Sequence, residues 1–330
     1  MRLSGRTVLV TGADGFIGSH LAERLLALGA SVRPLCLYNS NGSWGWLDEL
    51  DPAAKRGLDV RLGDVRDARF VEASCAGVDT VLHLAALVAI PYSYAAPESF
   101  VDTNVKGTLN VLEGARRAGC RRVVVASTSE VYGTPATLPI RETHPLKGQS
   151  PYSASKIAAD KLGEAYFCSF GVPVVTLRPF NTYGPRQSTR AVVAAILTQL
   201  LAGEREIRLG RLDTTRDLTF VADTVEGFVR AAEAEGVEGD VIQLGTGSAV
   251  SVGELFEACC RVLGATASVV GDPVRLRPDA SEVLALRSDP ARARSRLGWQ
   301  STVALEDGLE RTARWLEPRL RHFDPDRYHV

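Results

Sequence analysis

The sequence predicts an α/β protein built on a doubly wound parallel sheet, with a smaller lobe in its C-terminal half. Two observations favour this fold class. Short apolar runs of strand length alternate with longer stretches in which apolar residues recur at helical spacing. Most of the short runs lack polar alternation, which is typical of parallel strands buried on both faces. The 330 residues, 45% of them hydrophobic, can bury one large domain or two in close contact.

The first predicted unit is a strand, a glycine-rich turn and a helix. The strand begins at Thr7, and the turn follows with glycines at every third position from Gly12 to Gly18. Apolar residues then recur at helical spacing from Ile17 until Gly29 ends the helix. Such glycines allow a dinucleotide's pyrophosphate to approach the backbone at the helix N-terminus, so this unit predicts a Rossmann-type fold. The predicted cofactor contacts of the turn are Gly12, Gly15, Phe16, Ile17 and Gly18.

The second strand, Ser31 to Leu37, should end beside the adenosine ribose of that cofactor. An acid at this end selects NAD, and a basic residue nearby favours NADP. The chain continues with Tyr38 and Asn39, which give neither signal. We expect NAD, and the sequence leaves NADP open. In the next loop Trp44 and Trp46 either pin the loop to the body of the protein or help to cover cofactor or substrate.

The third and fourth strands should complete the cofactor side of the sheet. The third runs from Val60 to Val65, with Asp64 placed to accept a hydrogen bond from the adenine amino group. The fourth runs from Val78 to Ala86 and ends in small residues that let a cofactor approach the backbone. We interpret His83, inside this apolar run, as a packed core histidine. The predicted cofactor contacts here are Asp64, Val65, Leu84, Ala85 and Ala86.

A tyrosine and a lysine suited to acid/base chemistry lie near the middle of the chain. Tyr152 and Lys156 are four residues apart in a predicted helix from about Pro151 to Phe170, so they share one face. A phenol is a poor base at neutral pH, but a cation one turn away favours the phenolate. We therefore expect Lys156 to lower the pKa of Tyr152 and make it a usable proton acceptor.

Three polar residues end the preceding predicted strand. The apolar run that begins at Arg122 closes with Thr128, and Ser129 and Glu130 follow. Active sites of open α/β sheets lie at such carboxyl ends. The predicted catalytic set is Thr128, Ser129, Glu130, Tyr152 and Lys156, and Tyr152 and Lys156 are also predicted to contact the cofactor.

The rest of the chain predicts a second long helix, further strands and a substrate lobe. The helix runs from Pro97 to Ala118, and one more sheet strand runs from Val241 to Gly245. Arg216 and Arg277 lie in turn-like polar segments that can clamp phosphates. The predicted substrate contacts are Asn181, Arg190, Arg216 and Arg277. We expect a dinucleotide-binding domain at residues 1–180, a return to it at about 215–247, and a mainly substrate-binding lobe at 181–330.

Composition disfavours several other classes of protein. A formal net charge of −1 gives neither the basic footprint of a nucleic-acid-binding protein nor the bias of a disordered one. The longest apolar helical stretch, Ala191 to Ala202, is too short to span a bilayer, and no signal peptide precedes the first strand. The six cysteines show neither CxxC spacing nor histidine neighbours. We therefore expect no disulfide, no metal and a cytoplasmic location.

Taken together, these motifs resemble the extended short-chain dehydrogenase/reductases of the NAD-dependent epimerase/dehydratase family, which modify nucleotide sugars. The similarity runs from about Val8 to Trp299 and is carried by TGADGFIGSH, HLAA, STSEVYG, PYSASK, RPFNTYGPR and TRDLTFVADT. Most 4-epimerases lack the glutamate of the Thr128-Ser129-Glu130 triplet, which is similar to that of sugar 4,6-dehydratases. Dehydratases that act on nucleotide-linked N-acetylglucosamine in legionaminic acid formation carry a similar tryptophan loop and a similar GQSPYSASK.

The resemblance implies oxidation at C4 of an NDP-hexose, loss of water across C5 and C6, and hydride return to C6. Glu130 would be the base at C5. A 4-epimerase, which needs no such base, stays open as an alternative. So does an NDP-uronic acid decarboxylase, whose C6 carboxylate Arg186 or Arg190 would bind. A protein that holds NAD(P) without catalysis is disfavoured, because the Thr, Tyr, Lys and Glu set is intact.

The resemblance also implies how the chain assembles. In this family two long helices pair across a two-fold axis into a four-helix bundle, so we expect a homodimer. We expect a nucleotide-diphosphate sugar as the substrate, and neither nucleic acid nor membrane as a partner.

Overall fold

A seven-stranded parallel sheet organises the chain, of which the computed structural model describes residues 2–323. In chain order the strands are β1 (Thr7–Thr11), β2 (Ser31–Leu37), β3 (Arg61–Gly63), β4 (Thr80–His83), β5 (Arg122–Ala126), β6 (Val174–Pro179), β7 (Asn181–Tyr183), β8 (Glu206–Leu209), β9 (Thr215–Arg216), β10 (Leu218–Phe220), β11 (Val241–Leu244), β12 (Val250–Ser251) and β13 (Ser268–Gly271). The large sheet has the order β11-β6-β5-β4-β1-β2-β3, and all its pairings are parallel. The predicted doubly wound fold is confirmed.

Helices cover both faces of this sheet. In chain order they are α1 (Phe16–Ala27), α2 (Pro52–Arg56), α3 (Ala68–Cys75), α4 (Ile90–Ala95), α5 (Pro97–Phe100), α6 (Gly107–Ala118), α7 (Pro151–Phe170), α8 (Val192–Leu201), α9 (Val221–Glu233), α10 (Val252–Leu263), α11 (Ala291–Leu297) and α12 (Leu305–Leu316). Alternate residues of the strands enter two separate apolar clusters, as the pleat of a strand requires. One cluster contains residues of α1 and α9, and the other contains residues of α3, α6 and α7.

Helix α7 (Pro151–Phe170) has the bounds that the sequence predicted, because both of its ends carry strong local sequence signals. Ser150 is the N-cap, and its side chain and that of Ser153 form a reciprocal capping box. Gly171 ends the helix in the left-handed conformation, with φ of 66°. This helix therefore presents Tyr152 and Lys156 from a fixed position at the edge of the sheet.

The predicted single helix from Pro97 to Ala118 is wrong in one respect. Between α5 and α6 the residues Val101–Lys106 form a π-helical turn. Inside this turn the buried Asn104 side chain bonds both backbone groups of Leu87, at 2.8 Å and 2.9 Å. The wider turn therefore places a side-chain amide against the loop that follows β4, which regular α-helical spacing does not reveal.

The C-terminal part is attached to the sheet rather than separate from it. Strand β11 joins the edge of the large sheet beside β6, as predicted for Val241 to Gly245. The carboxylate of Asp223 on α9 accepts hydrogen bonds from the backbone of Thr302 and Val303, each at 3.0 Å. These bonds tie the chain that precedes α12 to α9. None of the helices described is both long and apolar enough to cross a bilayer.

Candidate active site

A cleft of about 620 Å³ opens at the carboxyl end of the large sheet. It lies where β1 and β4 meet, the point at which the chain order of the strands reverses and where open α/β sheets bind ligands. The predicted cofactor-binding and catalytic residues all line it. They are Gly12, Gly15, Phe16, Ile17, Gly18, Asp64, Val65, Leu84, Ala85, Ala86, Thr128, Ser129, Glu130, Tyr152 and Lys156.

The glycine turn packs too closely for side chains at two positions. Gly12 has φ of 69°, and a Cβ there would lie 2.8 Å from the backbone nitrogen of Ala85. A Cβ at Gly18 would clash with the carbonyl oxygen of Gly12. Among residues 2–323 no side chain caps α1, whose N-cap is Gly15, so its first amides face the cleft without a competing acceptor from this part of the chain. This bare helix N-terminus fits the pyrophosphate of a dinucleotide.

A buried chain of hydrogen bonds holds the end of β4 beneath the cleft. Thr11 Oγ1 accepts the backbone N–H of Leu84 at 3.2 Å and of Ala85 at 3.1 Å. It therefore donates its proton to His83 Nδ1 at 2.8 Å, and His83 Nε2 donates to Thr108 Oγ1 at 3.0 Å. Burial lowers the pKa of His83 to about 3 and keeps the ring neutral. The interpretation of His83 as a core histidine is confirmed.

The end of the cleft that is predicted to receive the adenosine contains an ion pair. Arg66 donates to both carboxylate oxygens of Asp64, from Nε to Oδ1 at 3.0 Å and from Nη2 to Oδ2 at 2.5 Å, and these bonds lower the pKa of Asp64. The Asp64 carboxylate lines the cleft, as predicted, but it already accepts hydrogen bonds from Arg66. At the end of β2 the exposed Leu37 also lines the cleft, and its backbone N–H donates to Asp14 Oδ2 at 3.2 Å.

The phenol of Tyr152 and the ammonium of Lys156, which are predicted to be catalytic, lie in a buried part of the cleft. Tyr152 is 7% exposed and Lys156 is 4% exposed. Burial raises the pKa of Tyr152 well above its usual value, although a hydrogen bond with Thr128 lowers it in part. The expectation that Lys156 lowers this pKa is therefore wrong for the structure described, because desolvation is the larger effect. Lys156 Nζ donates instead to the carbonyl oxygen of Ala126 at 2.6 Å, and burial lowers its own pKa to about 8.

A short turn at the end of β5 places Glu130 beside this pair. Thr128 is the N-cap of a single 3₁₀ turn, Ser129–Tyr132, and Thr128 Oγ1 accepts the backbone N–H of Glu130 at 3.2 Å. The Thr128 hydroxyl proton is then available to Tyr152, which agrees with the hydrogen bond between the two side chains. Within residues 2–323 the carboxylate of Glu130 makes no hydrogen bond, although it lines the cleft, so it is free to accept a proton.

The predicted substrate residues divide into three groups. Asn181 lines the cleft, and in the described part of the chain its buried Oδ1 has no hydrogen-bond partner. Arg216 and Arg277 both pair with Glu282 Oε1, at 3.2 Å and 3.5 Å. Arg216 also lies close enough to Glu130 for the charge of that carboxylate to affect the pKa of Arg216. Arg190 is exposed, donates to Ser188 Oγ at 3.3 Å and does not line the cleft.

Comparison with known proteins identifies the family. The family model described as GDP-mannose 4,6 dehydratase matches residues 9–312. This chain belongs to that family. A UDP-glucose 4-epimerase from Mycolicibacterium smegmatis is 36% identical, and the match covers 92% of this chain and 96% of that protein. A dTDP-glucose 4,6-dehydratase from Actinoplanes sp. is 34% identical over 93% of this chain and 97% of that protein.

A solved structure shows the same fold over nearly the whole chain. The dTDP-glucose 4,6-dehydratase DesIV from Streptomyces venezuelae, solved with NAD and TYD bound, has a TM-score of 0.84 and 32% identity. It covers 97% of this chain and 99% of its own. The resemblance to extended short-chain dehydrogenase/reductases of the NAD-dependent epimerase/dehydratase family is confirmed. The chain is a nucleotide-sugar-modifying enzyme of this superfamily, and both dehydratases and epimerases are similar to it.

The two arginines named for a decarboxylase do not face the cleft. Arg186, with φ of 69°, is buried and donates to Glu23 Oε2 at 2.7 Å and to Ser19 Oγ at 3.2 Å. Arg190 is exposed. Arg66, at the adenosine end, is the arginine that the described residues contribute to the cleft lining. This arrangement gives a C6 carboxylate no arginine of the predicted kind.

The tryptophan loop is pinned to the body of the protein. Trp46 contacts Trp315 edge to face at 5.3 Å, and its backbone N–H donates to the carbonyl oxygen of Asp14 at 3.1 Å. Neither Trp44 nor Trp46 lines the cleft. Of the two interpretations of this loop, the structure therefore favours anchoring over covering the cleft.

Sequence patterns missed part of the cleft wall. Tyr92 on α4 and Thr103 in the π-helical turn line it, together with Ser99, Thr182 and Phe228. Tyr92, Ser99, Thr103 and Phe228 stand in helices without a recognisable motif. Thr182 had the strongest available signal, because it directly follows the predicted Asn181 in strand β7.

Proposed function

We propose that this enzyme is a nucleotide-sugar 4,6-dehydratase that acts on NDP-N-acetylglucosamine or a related NDP-hexose. The observation that carries the proposal is the Glu130 carboxylate, which lines the same cleft as Thr128 and Tyr152 without a hydrogen-bond partner among the described residues. Epimerisation at C4 needs no base at C5, whereas loss of water across C5 and C6 needs one. The cofactor is NAD, as in the Streptomyces dehydratase, and the turn from Gly12 to Gly18 fits its pyrophosphate.

Oxidation at C4 requires a proton acceptor and an oriented hydroxyl. When held at the turn from Gly12 to Gly18, NAD would supply the acceptor and later the donor of the hydride, and its positive charge would favour the phenolate of Tyr152. Tyr152 accepts the proton of the C4 hydroxyl while Thr128 donates a hydrogen bond to the same oxygen. Lys156, protonated below pH of about 8, holds the cofactor ribose and keeps a second positive charge beside the phenol.

The 4-ketone that results acidifies the C5–H bond. Glu130 removes the C5 proton, and the C6 hydroxyl leaves as water after it receives a proton from Ser129 or from the newly protonated Glu130. Return of the hydride to C6 and of a proton to C5 gives a 4-keto-6-deoxy sugar. Asn181 would bind the substrate from the cleft, and Arg216 and Arg277 would bind its diphosphate.

The first test follows isotopes through the reaction. In deuterated water the product should carry solvent deuterium at C5, because that proton passes through an exchangeable carboxyl group. Deuterium at C4 of the substrate should appear at C6. Glu130→Gln should still oxidise C4, so reduced cofactor and a 4-keto hexose should accumulate without loss of water. Glu164→Gln, an exposed carboxylate of α7, is the matched control and should keep wild-type turnover.

The epimerase is the second candidate, since a relative of that activity is 36% identical to this chain. It predicts different isotope results: C5 keeps its hydrogen, the mass of the sugar does not change, and Glu130→Gln is nearly silent. Conversion of UDP- or GDP-N-acetylglucosamine without loss of water would therefore reject the dehydratase. Release of carbon dioxide from an NDP-uronic acid would identify the decarboxylase instead.

A further inference from the structure

The side chain of Gln149 connects three segments that belong to different parts of the site. Gln149 directly precedes Ser150, the N-cap of the helix that carries Tyr152. Its Oε1 accepts the backbone N–H of Thr134 at 2.5 Å. Its Nε2 donates to the carbonyl oxygen of Ala280 at 3.1 Å. One amide therefore contacts segments 15 and 131 residues away in the chain.

The acceptor end of this amide fixes the exit of the turn that carries Glu130. Gly133 closes that turn by donating its backbone N–H to the carbonyl oxygen of Glu130 at 3.2 Å. Gly133 has φ of 59°, and a Cβ at this position would clash with Gln149 Oε1. The amide therefore fills the space beside Gly133 and bonds the next residue, Thr134. Movement of the Gln149 side chain would release the backbone that orients the carboxylate of Glu130.

The donor end fixes the segment that holds the two arginines assigned to the diphosphate. Gln149 Nε2 also lies 3.5 Å from the carbonyl oxygen of Glu282, and Thr134 Oγ1 donates to that same oxygen at 3.3 Å. The carboxylate of Glu282 is 7% exposed and pairs with Arg216 and Arg277. The position of the Glu282 backbone therefore determines where both guanidinium groups can be held.

We propose that Gln149 is a positioning residue that couples the diphosphate-binding arginines to the catalytic base Glu130. The coupling rests on the dehydratase function proposed above. A nucleotide diphosphate that binds Arg216 and Arg277 fixes the position of the Glu282 segment. Through its hydrogen bonds to both segments, the Gln149 amide then also fixes the turn that carries Glu130. The same amide adjoins the N-terminus of α7, so the positions of Tyr152 and Glu130 are fixed relative to each other.

Two substitutions separate the two ends of the amide. Gln149→Leu removes both the acceptor and the donor while keeping similar volume. Gln149→Glu keeps the acceptor for Thr134 but turns a carboxylate oxygen toward the carbonyl groups of Ala280 and Glu282. Lys147→Ala, on the same connecting segment and at an exposed side chain, is the matched control. For each variant the KM for the NDP-sugar and the deuterium isotope effect on kcat with C5-deuterated substrate are measured on the NAD-loaded enzyme.

Gln149→Leu should raise KM about fivefold, the effect of losing the one hydrogen bond of the donor end to Ala280, and should increase the C5 isotope effect because loss of the acceptor end misplaces Glu130. Gln149→Glu should raise KM and keep the wild-type isotope effect. A merely destabilised protein would lose active enzyme without changing either value. Wild-type KM and isotope effect in a folded Gln149→Leu enzyme, or a shift of both values in Lys147→Ala, would overturn the coupling. If the wild-type enzyme shows no C5 isotope effect and no loss of water, the dehydratase proposal fails and the coupling fails with it.

Discussion

At the scale of single residues, burial controls the chemistry of Tyr152 and Lys156. Both side chains lie in the buried end of the cleft, where desolvation disfavours the charged form of each. The pKa of the phenol is therefore raised, and that of the ammonium is lowered to about 8. The negative charge of Asp160, one turn further along α7, opposes the second change. At neutral pH Lys156 thus keeps its charge, and ionisation of the phenol depends on the further positive charge that bound NAD would bring.

The pKa of Lys156 predicts the alkaline limb of the activity profile. Turnover should fall as pH rises through about 8, because Lys156 loses the charge that supports the phenolate and holds the cofactor ribose. Lys156→Arg keeps a charge at all accessible pH values, so its fall should move to higher pH while its maximum activity is lower. Initial rates from pH 6 to 10 at saturating NAD test this. The same limb in both enzymes would show that another group titrates.

The same pKa has a consequence for stability, with a definite sign. The folded value of about 8 lies below the ordinary value of 10.5, so the unfolded chain binds more protons between these two pH values. The contribution of Lys156 to the free energy of unfolding therefore increases as pH rises through this window. The contribution of Lys156 to stability and its contribution to turnover should consequently change in opposite directions as pH rises through this window.

At the scale of secondary-structure elements, the π-helical turn at Val101–Lys106 organises the wall of the cleft. Its Asn104 bonds the backbone of Leu87 and also donates to Ser155 Oγ on α7 at 2.9 Å. Its backbone carbonyl accepts the Thr108 hydroxyl at 2.6 Å, which extends the chain of bonds from His83. The turn thus connects the ends of β1 and β4 to the helix that carries the catalytic pair.

Asn104→Leu should lower the free energy of unfolding by roughly 2–3 kcal/mol, because it leaves the part-buried backbone groups of Leu87 without the Asn104 amide as partner. Urea unfolding measures the change. Lys106→Ala, an exposed position of the same turn, is the control and should stay within about 0.5 kcal/mol of wild type. If Asn104→Leu is equally neutral, the amide is not what holds this wall.

The elements that the sequence predicted best are those whose ends carry local signals. The helix Pro151–Phe170 has a capping box and a terminal glycine, and the strand Ser31–Leu37 lies between a helix-ending glycine and a polar loop. The π-helical turn escaped prediction because one extra residue barely changes the apolar period, and because Leu87 and Ser155 are distant in sequence. The predicted cofactor and catalytic residues came from motifs with fixed spacing, and all of them line one cleft.

Contacts between distant segments could not be predicted in the same way. Arg216 and Glu282 are 66 residues apart, and nothing in either segment indicates their ion pair. Gln149 stands inside a recognisable motif, but its partners at Thr134 and Ala280 become visible only in the fold. The pKa of Tyr152 was predicted with the wrong sign because the sequence shows a neighbouring cation but not the depth of burial.

At the scale of the whole molecule, the C-terminal part shares its core with the sheet. The apolar cluster on the α1 face includes Leu197 of α8, Leu255 of α10 and Leu309 of α12. We therefore propose residues 181–330 as a substrate lobe that folds together with the dinucleotide-binding domain at 1–180, to which the chain returns at about 215–247. A shared core would let the two walls of the cleft hold a fixed separation.

The outer faces of α6 and α7 carry apolar side chains that the described residues leave exposed. Leu109 on α6 is 40% exposed and Phe170 at the end of α7 is 58% exposed. On the same two helices Val111, Leu112 and Tyr166 face the sheet, so the inner faces are already covered. The exposed pair therefore favours a second copy of the chain over further packing within one chain.

We accordingly predict a homodimer in which α6 and α7 of two protomers form a four-helix bundle. Sedimentation velocity at micromolar concentration should give twice the 35.5 kDa mass of one chain. Leu109→Glu places a charge in the predicted bundle and should shift the equilibrium toward the monomer, because a buried unpaired carboxylate is costly. Val274→Glu, at a position that is 66% exposed outside both helices, should leave the dimer intact. A wild-type monomer, or equal dissociation in both variants, would mean that these two helices do not form the interface.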